Sequence, residues 1–158
     1  MDKQTVLTQD RYKELSEELE NLRTVGREDI AEKIKEARSF GDLSENAEYN
    51  EAMDEQAKLE SRISKLEEDL RNVQILDEDA INTDVVSTGS RVTLKDLVYD
   101  EIVQYKILGQ GDINNNIISD QSPMGMALIG KKVGETVSFP APGSSGKLLR
   151  FELLEISK

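Results

Sequence analysis

Two interleaved seven-residue repeats run through residues 49 to 73. Tyr49, Gln56, Ile63 and Leu70 form one, and Ala52, Leu59, Leu66 and Val73 form the other. Side chains recurring in this way line one stripe of an α-helix, and the stripe needs a second helix to cover it. A partner pattern lies upstream. Thr8 is a good N-cap, and Tyr12, Leu15, Leu19 and Leu22 follow at spacings of three, four and three. That register then slips. Its continuation would put Gly26 and Asp29 on the seam, whereas the apolar set restarts one residue later at Ile30, Ile34 and Ala37. A kink or short break is expected at Val25-Gly26-Arg27. The first helical stretch covers residues 9 to 40, and only Gly41-Asp42-Leu43-Ser44 separates it from the second. So short a connection makes the helices antiparallel neighbours. Each arm of ~30 residues would be roughly 45 Å long. A dimeric coiled coil is the alternative, but the Gly-Asp-Leu-Ser break favours a hairpin within one chain.

The remainder reads differently. Composition changes after Leu76, so the domains are expected to be 1–76, a coiled-coil hairpin, and 77–158. Residues 77 to 89 are acidic and polar, a linker with room for a short extended piece. Segments rich in β-formers follow at 91–94, 101–108, 116–119, 135–139 and 148–156, with turn-rich loops at 109–115 and 140–146. Residues 123 to 129 suit one or two helical turns, opened by Ser122 as N-cap and Pro123 at the first position, and closed by Gly130. The fold class is therefore α+β: a helical hairpin, then a small antiparallel sheet with a short helix. The supply of core residues agrees. Of 158 residues, 37% are hydrophobic and 4% aromatic while 33% are charged, which is thin for one globule and suited to a chain that is partly exposed helix.

Composition also excludes chemistry. The chain has no cysteine, so disulfides, zinc–thiolate sites and thiol nucleophiles are ruled out. It has no histidine, the commonest general base and transition-metal ligand. No segment approaches the roughly 18 apolar residues of a membrane span, and the polar N-terminus lacks a signal-peptide pattern. A cytoplasmic protein with no membrane partner is expected. Net charge is −12. Residues 1–76 hold 20 acidic and 12 basic side chains, net −8, and the rest hold 12 and 8, net −4. Neither half has the basic footprint of a free-standing nucleic-acid binder, so any nucleic acid is brought by a partner.

The turn between the helices carries Asp42 and Glu45. Asp42-Leu43-Ser44-Glu45 fits a capping box for the second helix, with Asp42 as N-cap and Glu45 reaching back, or with Ser44 as the cap. Glu45 and Glu48 also suit the helix dipole. A second use is open to the same pair, because carboxylates hold Mg²⁺ and orient water. Phe40 and Leu43 flank Asp42, which is odd for a purely solvated loop, and residues 41 to 60 hold seven acidic side chains against one basic one, Lys58. Lys35 and Arg38 line the face leading to Asp42. They either pair within the helix, with Glu32 among others, or meet a phosphate. Two carboxylates hold Mg²⁺ weakly, because the ion takes six oxygens. No second catalytic set exists, so the pair makes chemical sense as half of a site completed by another molecule.

Residues 37 to 49, Ala-Arg-Ser-Phe-Gly-Asp-Leu-Ser-Glu-Asn-Ala-Glu-Tyr, resemble a signature of the bacterial Gre transcript cleavage factors. Residues 122 to 131, Ser-Pro-Met-Gly-Met-Ala-Leu-Ile-Gly-Lys, resemble the family's second signature. The likeness covers the whole chain. It implies a C-terminal domain of FKBP-like fold that docks on bacterial RNA polymerase, and a hairpin that enters the polymerase's secondary channel. It implies that Asp42 and Glu45 share a Mg²⁺ with the polymerase and activate water, so that backtracked RNA is cut by the polymerase's own site. The factor would then be an accessory protein and not itself an enzyme, a monomer, with the nascent RNA 3′ end as its second partner. The docking loop corresponds to Asp120, Ser122, Pro123 and Met124. Family members often carry a basic residue about two turns past the tip, where this chain has Met53 and Asp54. Contact with RNA then falls to Lys35 and Arg38.

Two other readings are separable. A Gre-like protein that inhibits the polymerase without promoting cleavage would differ at the tip, where this chain keeps both acids. A peptidyl-prolyl isomerase would need an aromatic pocket, for which the C-terminal half offers only Tyr99, Tyr105, Phe139 and Phe151.

Overall fold

The structure, a computed structural model, describes residues 4–41, 46–141, 143 and 146–158. They form two compact units. One is Asp10–Asn72, and the other combines the N-terminal residues up to Gln9 with Val73–Lys158.

The first unit is the helical hairpin. Helix α1 (Gln9–Asn21), a π-helical turn (Leu22–Gly26) and α2 (Arg27–Arg38) succeed one another without a break in helical backbone, and α3 (Ala47–Arg71) returns alongside. The buried apolar side chains are those of the seam: Leu15, Leu19, Ile34 and Ala37 against Ala52, Ile63 and Leu66. The slip in register has a concrete form. In the π turn the Arg27 N–H bonds to the Leu22 carbonyl, five residues back, so the turn absorbs one extra residue. Thr24 Oγ1 donates to the Glu20 carbonyl at 2.9 Å, a back-bond that loosens the normal ladder there. The expected kink is thus an insertion that lets the upstream and downstream stripes share one seam. A direct test follows. Val25 is 51% exposed, so deleting it removes the extra residue at little cost in burial. The deletion variant should melt at or above the parent temperature by circular dichroism. Deleting Ala31 from α2 instead should lower the midpoint by several degrees, for a cost of about 1–3 kcal/mol.

The second unit is a sheet with a short helix. Strand β1 (Thr5–Leu7) pairs in parallel with β2 (Val73–Ile75). A five-stranded sheet follows in the order β5-β4-β3-β7-β6, built from β3 (Arg91–Asp96), β4 (Glu101–Leu108), β5 (Ile117–Ser119), β6 (Thr136–Pro140) and β7 (Leu148–Ser157). Helix α4 (Pro123–Leu128) joins its core through Leu128. Val92 and Leu94 of β3, Ile107 of β4, Val137 and Phe139 of β6, and Phe151, Leu153 and Ile156 of β7 make up most of that core. The Phe139 and Phe151 rings stack with centroids 5.7 Å apart. A bulge between Thr93 and Leu94 pairs Thr93 with Glu155 but Leu94 with Leu153. It shifts the inward phase of β7 from odd to even positions, so that Ile156 is buried and Glu155 stays exposed. Pro140 sits on β6, an edge strand, where its missing N–H costs no ladder bond.

The strands lie where the β-rich segments placed them, with three differences. Val73, counted on the heptad seam, belongs to β2, because the helix ends at Arg71 and the chain turns into a pair with β1. That pairing also groups β1, β2 and the buried Leu7 with the sheet unit, where the composition change falls after Leu76. The β4–β5 pair is parallel, not antiparallel. The chain doubles back through a 3₁₀ turn at Ile113–Asn115 and a left-handed Asn116 with φ +57°.

Candidate functional site

On the hairpin, α2 and α3 are held in register by ion pairs. Arg27 meets Glu60 at 3.0 Å and Lys33 meets Glu55 at 2.9 Å, while nearer the base Arg23 meets Glu67 at 3.5 Å. Each is exposed and contributes little alone. The Lys33 ammonium is held above the ordinary lysine pKa, first by its hydrogen bond to Glu55 and then by that carboxylate's charge. A raised pKa contributes stability at every pH below the ordinary value, and loses it only as pH climbs through the raised one.

The two sides of the hairpin differ. Lys33, Glu36, Glu48, Glu51 and Glu55 line a groove on one side, which is therefore acidic. Ala31, Ile34, Lys35, Arg38, Met53 and Gln56 line the other. Lys35 and Arg38 are exposed and make no ion pair among the described residues. The Arg38 guanidinium instead lies 5.9 Å from the centre of the Tyr49 ring. Intrahelical pairing with Glu32 is therefore not their arrangement. Met53 lines the same groove, so the absent basic residue leaves an apolar patch beside the two cations.

The far end of the hairpin closes in an unexpected way. The N-cap of α3 is Asn46, its Oδ1 accepting from the Tyr49 N–H at 3.1 Å. Ala47 is the first helical residue, later than the capping box predicted. Asp42, Leu43, Ser44 and Glu45 lie outside the described residues. Phe40, which precedes them in the sequence, is a large apolar side chain that is 62% exposed. Among the described residues no group of three or more His, Cys, Asp or Glu side chains converges as a metal site. Mg²⁺ takes about six oxygens, so two carboxylates alone would fill only part of its shell.

On the sheet unit, the turn before α4 is tightly bonded. Ser122 is the N-cap, its Oγ accepting from the Gly125 N–H at 3.0 Å and donating to the Ser119 carbonyl at 2.6 Å. Pro123 occupies the first turn and is exposed, and Met124 is partly buried against the core. Asp120 is buried, and its carboxylate accepts from Thr88 Oγ1 at 3.2 Å. Of the four residues assigned to docking, Ser122, Pro123 and Met124 reach the surface while Asp120 anchors the turn from beneath. Two neighbours escaped the sequence reading. Thr88 sits in a segment read as linker, and Met126 is 59% exposed one turn along α4. The Ser-Pro-Met-Gly-Met run held the signal for Met126, as a methionine on a short helix with few other exposed apolar groups.

Comparison with known proteins decides the family. Residues 5–75 match the family described as Transcription elongation factor, N-terminal, and residues 81–158 match Transcription elongation factor, GreA/GreB, C-term. The chain belongs to the GreA/GreB family of transcription elongation factors. Among its relatives are proteins named Transcription elongation factor GreA. That of Caldanaerobacter subterraneus subsp. tengcongensis is 50% identical with 100% of each chain covered, and that of Clostridium novyi is 51% identical over 98% of this chain and 96% of the other. A solved structure of GreA factor homolog 1 from Thermus thermophilus is 28% identical, covers 99% of this chain and 100% of that one, and has a TM-score of 0.45. No helix among the described residues is long and apolar enough to cross a membrane.

Proposed function

We propose that this chain is a transcript cleavage factor that works on RNA polymerase. The sheet unit docks through Ser122, Pro123 and Met124, with Asp120 holding the turn. The hairpin enters the secondary channel and presents Asp42 and Glu45 to the polymerase active centre. The two carboxylates would hold a Mg²⁺ jointly with the polymerase and orient a water toward a phosphodiester of backtracked RNA. Such an ion, when bound, polarises the water and steadies the charge that develops on the cleaved phosphate. Lys35 and Arg38, exposed and without an ion pair among the described residues, lie on the side of the hairpin suited to the RNA 3′ segment. The chain is then a cytoplasmic accessory factor, a monomer with no catalytic activity of its own and no membrane partner.

One observation carries the reading. The cap of α3 is Asn46, so acids at 42 and 45 are not needed as its N-cap. The test is a gel of labelled RNA. The protein with RNA and Mg²⁺ alone should cut nothing, and added to a stalled, backtracked polymerase complex it should shorten the transcript. RNA hydrolysis without polymerase, persisting after removal of contaminating nuclease, would place the active site wholly within this chain. Inhibition without shortening would mark a channel-binding inhibitor.

A further inference from the structure

We propose that Thr88 is a positioning residue for docking on polymerase, holding the Ser122-Pro123-Met124 turn in place through Asp120. The inference rests on the docking reading given above. Asp120 is 8% exposed, and a carboxylate so buried is costly unless donors meet it. Gln121 Nε2 donates to its Oδ1 at 3.4 Å from within the turn. Thr88 Oγ1 donates to its Oδ2 at 3.2 Å from 32 residues earlier in the chain. The second bond ties the turn to another segment, and that segment is itself fixed. Ser90 N donates to the Ser87 carbonyl at 3.0 Å and Ser87 N to Ser90 Oγ at 2.9 Å, which closes a tight turn around Thr88. Gly89 N donates to the Ile107 carbonyl at 2.7 Å, so this turn is bonded to β4. Asp120 N donates to the Leu108 carbonyl at 2.8 Å, one residue further along the same strand. Strand β4 lies between β3 and β5. The hydroxyl–carboxylate bond therefore joins the chain entering β3 to the chain leaving β5, two strands that do not pair with each other.

The same segment also holds the far end of α4. Val86 N donates to the Lys131 carbonyl and the Val86 carbonyl accepts from Gly130 N, each at 2.9 Å. Residues 86 to 88 thus grip the 120–131 stretch at both ends, with backbone at one end and a side chain at the other. The side-chain end is the one that carries Ser122 and Pro123. Without the Thr88 hydroxyl, the Asp120 carboxylate gains by turning toward water, where donors are plentiful. Ser122 and Pro123 follow it in the chain and shift with it. A docking surface that must be re-ordered at each encounter binds more weakly, because ordering its side chains and loop is a cost of association.

Two substitutions separate the hydroxyl from the space it fills. Thr88→Val keeps the shape and loses the donor, and Thr88→Ser keeps the donor. Each full-length variant, carrying a fluorescent label, is titrated with RNA polymerase and its Kd read by anisotropy. The temperature is one at which circular dichroism shows parent and variants fully folded. Amide hydrogen exchange is followed by NMR at Gly125 and Met126, whose N–H groups donate to Ser122 Oγ at 3.0 Å and to the Ser122 carbonyl at 2.8 Å. Thr88→Val is expected to raise Kd about five- to tenfold and to speed exchange at both amides, and Thr88→Ser to restore both. A Kd within about twofold of the parent in Thr88→Val overturns the proposal. So does a raised Kd that serine does not restore, or one with exchange at Gly125 and Met126 unmoved, since the effect then does not run through the turn. Pro123→Glu, run in parallel, separates the two levels, because an acid suits the first turn of α4 and leaves the helix in place. If it binds like the parent, the docking reading itself fails. If it binds weakly while Thr88→Val binds like the parent, only the positioning role fails.

Discussion

Replacing Asp42 or Glu45 with alanine is expected to remove most of the stimulation of RNA cleavage, by about a hundredfold or more, while polymerase binding stays within about twofold. The separation follows from the division of the chain. The proposed docking residues belong to the sheet unit, and the acids belong to the hairpin, each unit with its own buried side chains. A structural effect of the substitutions is expected to be small. Loss of a helix cap costs about 1 kcal/mol, and that cap is Asn46. The measurement is a titration of each variant into a stalled complex, reading plateau rate and half-saturating concentration separately. Full cleavage by either variant would remove that residue from the catalytic pair.

The opposite profile is expected from Gly125→Ala. A Cβ built on Gly125 would lie 2.1 Å from the Ser119 carbonyl oxygen and 3.1 Å from the Asp120 Cα. Both are backbone atoms, so the clash cannot be relieved by a side chain swinging aside. Helix α4 would have to lift from β5, and Ser122 and Pro123 ride on that turn. Overpacking of this kind costs about 1–3 kcal/mol or more. For a unit of this size that is a fall of several degrees in melting temperature. Polymerase affinity should drop about tenfold, but cleavage should recover at high factor concentration because the tip is untouched. Parental melting and a parental half-saturating concentration would show that the turn tolerates the methyl and that its geometry does not govern docking.

What the sequence made legible followed from periodicity. The heptads gave α3, and the slip at Val25-Gly26-Arg27 located the π turn to within a residue or two. Alternating segments gave all five strands of the main sheet, and Ser122-Pro123 gave the start of α4. What it hid depended on partners distant in the chain. Thr5–Leu7 is three residues long and becomes a strand only because Val73–Ile75 lies beside it. The same pairing takes Val73 out of a heptad that it fits by spacing. The cap of α3 was misplaced for a local reason. Asp42, Ser44 and Asn46 are all good N-caps, and spacing alone does not choose among them. The Ala37 carbonyl does, by offering Asn46 a second bond that rewards starting the helix at Ala47.

The parallel pairing of β1 with β2 has a meaning for how such a protein can be altered. Leu7 sits opposite Ile75, so the chain enters and leaves the arm through two neighbouring strands about 4.8 Å apart. Topologically the hairpin is an insert within a discontinuous host domain, not a domain joined by one linker. An insert whose two ends meet can be exchanged for another of different length or tip chemistry with its host left whole. A cut made after Leu76 does the reverse: it strips the host of Leu7 and Leu76, which packs against Gly89, and so damages the domain it was meant to isolate.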